Sequence, residues 1–295
     1  MANNYPITLS HGIARFDFLS DYFIHNLAIF GLDVGDATDQ GNYFKGIRTF
    51  LRSKGFDVHS TRVSFAAGVD VRSEDLRNEV NRILAETGKE KVHIIGHSMG
   101  GMDARHMIVE KGMAQKVASL TTIGTPHNGT SFADWGIAHG GDEIVKIISK
   151  VIHIEGLKDL TRDACRKFND AARNAEASND VVYKTYAATE DLLTTFTPLQ
   201  LSWQIIHKEE GENDGLVPLT SQQWQSELKG DDGRVKKIEQ KKFKVPGDHL
   251  NEVGWWDLNE LVQLKFQFNI KQAARDYEQK IKDTYLEIAT AAASL

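Results

Sequence analysis

The sequence predicts an α/β fold: a mostly parallel central sheet flanked by helices, with a helical insertion in the second half. Three observations carry this. Short apolar, β-branched runs alternate with amphipathic helical runs as far as Ile123, and strand–helix–strand repetition builds parallel sheets covered on both faces. From residue 128 to about 180 the alternation stops, and the chain reads as glycine-punctuated helix. A strand-like run then returns at Val181–Ala188, and the chain closes on a long helical stretch, 258–295.

The elements follow in order. Ile7–Leu9 reads as the first strand. Tyr43–Lys54 carries Phe44, Ile47, Phe50 and Leu51 at helical spacing, with Gly55 behind it as a stop. Phe56–Val63 is a second β run. Ser73 is placed to cap a helix bearing Leu76, Val80, Ile83 and Leu84, ended by Gly88. Val92–Ile95 is a short buried strand, Met99–Lys111 a helix closed by Gly112, and Val117–Ile123 a further strand. Within the insertion, Ile144, Ile147, Ile148, Val151 and Ile152 form an apolar helical stripe that must be covered or must cover something. Thr189–Gly211 has no clear period and leads to a turn at Asn213-Asp214-Gly215; Phe243–Val245 is the last β run.

Composition narrows the function. The 295 residues are 41% hydrophobic and 26% charged, with a net charge of −6. That is enough chain for a sizeable core, and one domain spanning 1–295 with an insertion at 128–180 fits better than two. An acidic balance argues against nucleic acid or an anionic membrane as partner. No apolar run is long enough to span a bilayer. The start, MANNYPITLSHG, lacks a basic segment followed by an apolar one, so no secretory signal is expected; the address is cytoplasmic or that of a leaderless or mature secreted protein. The single cysteine, Cys165, lies in a polar helical stretch and reads as an unremarkable thiol.

The chemistry sits in KVHIIGHSMGGMDAR, Lys91 to Arg105. Gly-X-Ser-X-Gly between a strand and a helix is a nucleophile elbow, the mark of the α/β-hydrolase fold. The turn is so tight that the serine backbone is strained and its Oγ is thrust above the sheet edge. Side chains two residues to either side would collide with neighbouring backbone, hence the glycines. Ser98 is the candidate nucleophile. A hydroxyl is weakly nucleophilic, so a base must take its proton, and in this fold the order is serine, acid, histidine. Of the later histidines only His249 follows the last strand run. Asp214, on its turn, is the candidate acid; Asp191, just after the strand Val181–Ala188, is the rival. The oxyanion hole needs two backbone N–H donors: Met99, next to the nucleophile, and Ile13 in TLSHGIARF, where His11-Gly12 shapes the turn. His11, His97, Ile144 and Ile148 are candidate substrate contacts. The sequence holds no HExxH and no His/Asp/Glu cluster at metal-ligand spacing.

Five segments, PITLSHGIARFD, VHIIGHSMGGMDARH, TTIGTPHNGTSFADW, NDGLVP and DHLNEVGW, together resemble the bacterial-type triacylglycerol lipases and related fungal ones. The likeness covers roughly residues 6–62, 88–136 and 181–256. It implies a triad of Ser98, Asp214 and His249, choosing Asp214 over Asp191, and a lid over an acyl cleft formed by the insertion. It also implies a structural calcium near the histidine loop. Where many relatives carry an aspartate two residues after the histidine, this chain has Asn251; an amide holds calcium more weakly than a carboxylate, leaving a weak site near Asn251 and Asp191. No cofactor is expected to be required. The expected activity is carboxylic ester hydrolysis at a lipid–water interface, with acylglycerols as substrate. A short-chain esterase or thioesterase is the nearest alternative, and a non-catalytic binding module of the same fold the remotest.

Overall fold

Six strands form one parallel sheet in the order β2-β1-β3-β4-β5-β8: β1 Ile7–Ser10, β2 Val58–Ser60, β3 Val92–His97, β4 Val117–Ile123, β5 Val182–Ala187 and β8 Glu239–Lys242. The computed structural model describes residues 5–13, 43–65, 67–139, 154–256 and 270–295. Between the strands run helices α1 (Ile47–Ser53), α2 (Val69–Thr87), α3 (Met99–Glu110), α4 (Ser131–Ala138), α5 (Arg162–Ser178), α6 (Gln200–Glu210) and α7 (Leu219–Gln223). An antiparallel hairpin, β6 (Glu227–Lys229) with β7 (Val235–Lys237), precedes β8, and α8 (Ile270–Ala293) closes the chain.

Every residue of β1 and β3 is buried, as a central strand covered on both faces requires. Successive side chains leave the sheet on opposite sides. Ile94 therefore joins a core with Leu76, Val80 and Ile83 of α2 and Met107 and Ile108 of α3. Ile95 joins the other core, with Ile47 and Leu51 of α1 and Ile281, Tyr285 and Ile288 of α8. Parallel neighbours need a crossover. Between β4 and β5 that crossover is α5, fastened to α3 by the fully buried pair Arg105–Glu176, with Nε to Oε1 at 2.8 Å and Nη2 to Oε2 at 2.9 Å. The span 128–180 expected to be a lid thus contains a fixed structural helix. Among the described residues of that span, α4 and the 3-10 turn Ile154–Leu160 are left to cover the sheet edge, and the stripe Ile144–Ile152 lies outside the described residues.

Several expected boundaries move. The first helix starts at Ile47 rather than Tyr43, because Gly46 turns with φ 66° and Lys45 is held by its N–H to the Val253 carbonyl (3.0 Å). Ser73 does not cap α2, which begins at Val69 after Gly68; Ser73 lies buried in the second turn and donates to the Asp70 carbonyl. The last strand is Glu239–Lys242, not Phe243–Val245. It is an edge strand whose charged side chains pair with Lys184 and Glu287, so it lacks the apolar alternation that marks a covered strand. Phe243 still donates to the Ala187 carbonyl (2.9 Å) as the pairing ends. Of the expected C-terminal helix, Ile270–Ala293 is seen, and residues 257–269 lie outside the described residues.

Candidate active site

Strand β3 delivers His97, and the chain then turns at Ser98 with φ 56° and ψ −133°. A non-glycine residue there costs about 1–3 kcal/mol and persists only where its surroundings enforce it. Here the Ser98 N–H donates to the Ile123 carbonyl (2.9 Å), and its own carbonyl accepts from Thr125 Oγ1 (2.9 Å) and Gly101 N–H (3.0 Å). The glycines do what the spacing predicts. A Cβ on Gly100 would lie 2.3 Å from the Ser10 carbonyl oxygen, and one on Gly96 would lie 2.8 Å from the Gly101 Cα. Helix α3 starts immediately after the serine, so its unpaired N–H groups and positive end face the site.

His249 and Asp214 come together 35 residues apart in sequence. His249 Nδ1 lies 2.8 Å from Asp214 Oδ2, and the His249 N–H donates to the Asp214 carbonyl at 2.8 Å. Asp214 Oδ1 accepts from the N–H groups of Leu216 (2.8 Å) and Val217 (2.7 Å). Although it sits on a turn, this carboxylate is fully buried, because the Asn213–Pro218 bridge folds the turn inward. Nδ1–H donation to a carboxylate leaves Nε2 as the lone-pair nitrogen. His249 and Ser98 line one apolar cleft of about 470 Å³, together with Ile13, Tyr43, Phe132, Leu157, Leu160 and Val217. Asp191, the rival acid, is exposed at the start of the loop after β5, away from that cleft.

Ile13 and Met99, the two expected oxyanion donors, both lie beside Ser98. Ile13 borders the cleft beside Ser98. Met99 opens α3, so its N–H is among the first-turn donors the helix leaves unsatisfied. Gly12 lies directly against the nucleophile: a Cβ there would stand 2.7 Å from Ser98 Cβ and 3.1 Å from its Oγ.

Two candidate substrate contacts are corrected. His11 and His97 are buried beneath the cleft and do not line it. His11 is spent within its own loop, Nδ1 to the Gly12 carbonyl (2.8 Å), with its ring stacked on Phe65 at 4.2 Å. His97, on the last residue of β3, is spent between Tyr43 (Nδ1 to the hydroxyl, 2.7 Å) and Glu252 (Nε2 to Oε2, 3.0 Å). Ile144 and Ile148 lie outside the described residues. Cys165 is buried in α5, and burial pushes its thiol up to about 12, consistent with an inert side chain.

Glu252, like Tyr43 on the other side of His97, is a residue that sequence reasoning missed. It is fully buried, and its Oε2 also lies 3.7 Å from His249 Nδ1. Burial, then the neighbouring Asp214 and Asp248 carboxylates, raise it well above the usual carboxyl range, which favours the neutral acid. The sequence carried a faint signal, an acid three residues after the histidine, which a 3-10 turn at Asn251–Val253 brings back beside it. Folding also gathers one donor atom each from His97, His249 and Glu252 within 4.8 Å, a cluster that sequence spacing did not reveal. Two of these side chains are also hydrogen-bonded outside the cluster, His97 Nδ1 to Tyr43 and His249 Nδ1 to Asp214.

The donors near Asn251 do not fit calcium, which takes six to eight converging oxygens. Asn251 Oδ1 accepts the Asp248 N–H (2.7 Å), and its Nδ2 donates to the Trp255 carbonyl (2.9 Å). The buried Asp248 carboxylate accepts from the N–H groups of Phe196 (2.7 Å), Leu250 (2.8 Å) and Asn251 (3.1 Å). Asp191 stays exposed. The weak site expected from Asn251 and Asp191 is therefore replaced by a direct protein tie.

A parallel sheet with a strained serine between β3 and α3 defines an α/β-hydrolase, and the α/β-hydrolase family model matches residues 39–139. Triacylglycerol lipase 2 of Saccharomyces cerevisiae is 28% identical over 284 residues, covering 85% of this chain and 80% of that protein. A triacylglycerol lipase of Pseudarthrobacter phenanthrenivorans is 37% identical over 137 residues; the match covers 45% of this chain and 37% of that longer protein. The mature Bacillus licheniformis lipase BlEst2 superposes with a TM-score of 0.59 at 16% identity, covering 86% of this chain and 88% of that one, a likeness of fold. The fold is that of the α/β-hydrolases, and the relatives the chain resembles in sequence are triacylglycerol lipases. The chain is a carboxylic ester hydrolase.

Proposed function

We propose that this enzyme is a triacylglycerol lipase that works through Ser98, His249 and Asp214. The carrying observation is one apolar cleft lined by both Ser98, at a strained elbow, and His249, whose Nδ1 is bonded to a buried Asp214. In this reading His249 Nε2 takes the Ser98 proton as Oγ attacks the ester carbonyl. The negative oxygen is received by the N–H groups of Ile13 and Met99. The imidazolium then gives its proton to the departing alcohol, and Asp214 holds the ring in the productive tautomer throughout. Water, activated by the same imidazole, releases the acid and restores Ser98.

Acylglycerols are favoured by the cleft wall, which is nearly all aliphatic and aromatic, and by the relatives' names. The α4 helix supplies Phe132 to that wall and presents Ile137, 53% exposed, to solvent, as suits contact with a lipid surface. In this reading α4 and the Ile154–Leu160 turn form the cover. Among the described residues no helix is long and apolar enough to cross a membrane. Neither metal nor cofactor takes part in the scheme. The test is initial rates on nitrophenyl esters from short to long acyl chains and on emulsified triglyceride, with Ser98→Ala as control. Serine-dependent hydrolysis of long chains and triglyceride is expected. Activity confined to short chains makes it an esterase, and no serine-dependent ester hydrolysis overturns the mechanism.

A further inference from the structure

We propose that His11 is a positioning residue, which aims the Ile13 N–H at the reacting carbonyl by holding the other end of the same peptide group. This rests on Ile13 being an oxyanion donor. The Gly12 carbonyl and the Ile13 N–H belong to one trans peptide unit, so they point in opposite directions, and fixing the oxygen fixes the hydrogen. His11 Nδ1 lies 2.8 Å from that oxygen. Arg72 Nη2 adds a longer contact to it at 3.5 Å and a direct hydrogen bond to the His11 carbonyl at 2.8 Å.

The partners also fix the ring's protonation. A carbonyl only accepts, so Nδ1 must carry the proton. The other nitrogen, Nε2, lies 3.4 Å from the Val63 N–H, which only donates, so Nε2 must offer its lone pair. The Nδ1–H neutral tautomer alone satisfies both. A doubly protonated ring would face the Val63 N–H with a second donor. Burial, then the Arg72 charge, lower the imidazole pKa to about 3, in the same direction. Arg72 is itself immobile. It is fully buried, forked onto Asp103 (Nε to Oδ2 3.0 Å, Nη2 to Oδ2 2.6 Å), and its Nη1 donates to the Ser64 carbonyl at 2.7 Å. The loop is also clamped from below, since the Ser10 and His11 carbonyls rest on Gly100 of the elbow. Gly12 cannot hold this geometry alone, because its backbone is intrinsically permissive.

Two measurements test this. Long-range proton–nitrogen NMR on the wild-type protein should show His11 as the Nδ1–H tautomer, unchanged from pH 8 to pH 5; the Nε2–H tautomer, or a titration in that range, overturns the proposal. Kinetics of matched variants supply the second. Asparagine places an amide N–H where Nδ1 stands, whereas glutamine reaches only the Nε2 position and leucine offers no donor. His11→Leu and His11→Gln are expected to lose about 10- to 100-fold in kcat with KM little changed, a fraction of what losing a whole oxyanion donor costs. His11→Asn should recover most of it at an equal or lower melting temperature. If His11→Leu keeps the wild-type kcat, or if the losses follow melting temperature rather than the presence of the donor, the positioning role is wrong. Ser98→Ala run alongside separates the two layers: activity surviving that change sinks the serine mechanism, whatever His11 does.

Discussion

Glu252 Oε2 lies 3.7 Å from Nδ1 of His249, the nitrogen that Asp214 Oδ2 holds at 2.8 Å. Two carboxyls thus flank one imidazole in a fully buried space. Both ionised there would repel strongly, and the raised proton affinity of Glu252 relieves this. His97 holds it from the other side, and Asp248 adds to the repulsion. The sign of the consequence follows from linkage. The folded protein keeps a proton on Glu252 that the unfolded chain sheds once pH passes the ordinary value of 4.5. Stability is therefore complete below that pH and declines as pH rises toward the folded value. Glu252→Gln copies the neutral acid without the titration. Its melting temperature is expected to gain on the wild type progressively from pH 5 to pH 8, with ester hydrolysis at pH 8 of the same order. A variant that melts lower than wild type by a widening margin as pH rises would show that the acid is ionised.

Asp214 differs from Glu252 in its partners. Two backbone N–H groups fill Oδ1, which leaves Oδ2 to accept the hydrogen bond from His249 Nδ1–H. Asp214→Asn keeps the shape but can present an N–H to Nδ1, which turns the ring's lone pair away from Ser98. Loss of about 10³–10⁴ in kcat with a nearly constant KM is expected in steady-state kinetics. Retention of a tenth or more of the activity would mean that another group orients His249.

How far the sequence disclosed this arrangement depended on where the local signal lay. The elbow was legible because its chemistry is contiguous. Gly96, Ser98 and Gly100 are set by collisions within a few residues and with the Ser10 carbonyl. Strands β3 and β4 were legible because both faces are covered, so Val92, Ile94, Ile95, Val117, Leu120 and Ile123 all lie in the core. The edge strand Glu239–Lys242 and the hairpin before it were not, since they carry charges that pair across exposed surface. Glu252 and Tyr43 were missed for another reason. They meet His97 only through tertiary packing, 155 and 54 residues away, and no period in a single sequence records that. In the insertion, helical spacing identifies α5 as a helix but cannot distinguish a crossover from a cover.

Gly12 offers a direct test of how tightly the oxyanion loop is fitted to the nucleophile. An alanine methyl would stand 2.7 Å from both Ser98 Cβ and the Tyr43 hydroxyl, closer than real contacts allow, and neither neighbour is free to retreat. Ser98 is fixed by its strained turn, and Tyr43 is tied to His97 at 2.7 Å. The loop must therefore lift, carrying the Ile13 N–H with it. Gly12→Ala is expected to lower kcat about 100-fold or more and to slow inactivation by a phosphonate ester in parallel, since that adduct needs the same donors. Unchanged phosphonate reactivity would place the oxyanion site elsewhere.

The tie around Asn251 leads to an expectation about calcium. In a calcium-braced loop, chelation removes the charge that holds the acidic ligands together, and the fold loosens near the histidine. Here Asp248 instead draws Phe196, Leu250 and Asn251 onto its carboxylate, while Asn251 ties Asp248 to Trp255. We expect the melting temperature and esterase rate to be the same with excess EDTA as with millimolar calcium. Asn251→Ala should do what chelation does not. It strips a buried N–H and a buried carbonyl of their partners, a cost of about 1–3 kcal/mol for each group left unsatisfied. Because Asp248 adjoins His249, activity should fall with stability. A drop of several degrees on adding EDTA, reversed by calcium and absent in Asn251→Ala, would establish that the ion binds here and that the direct tie does not replace it.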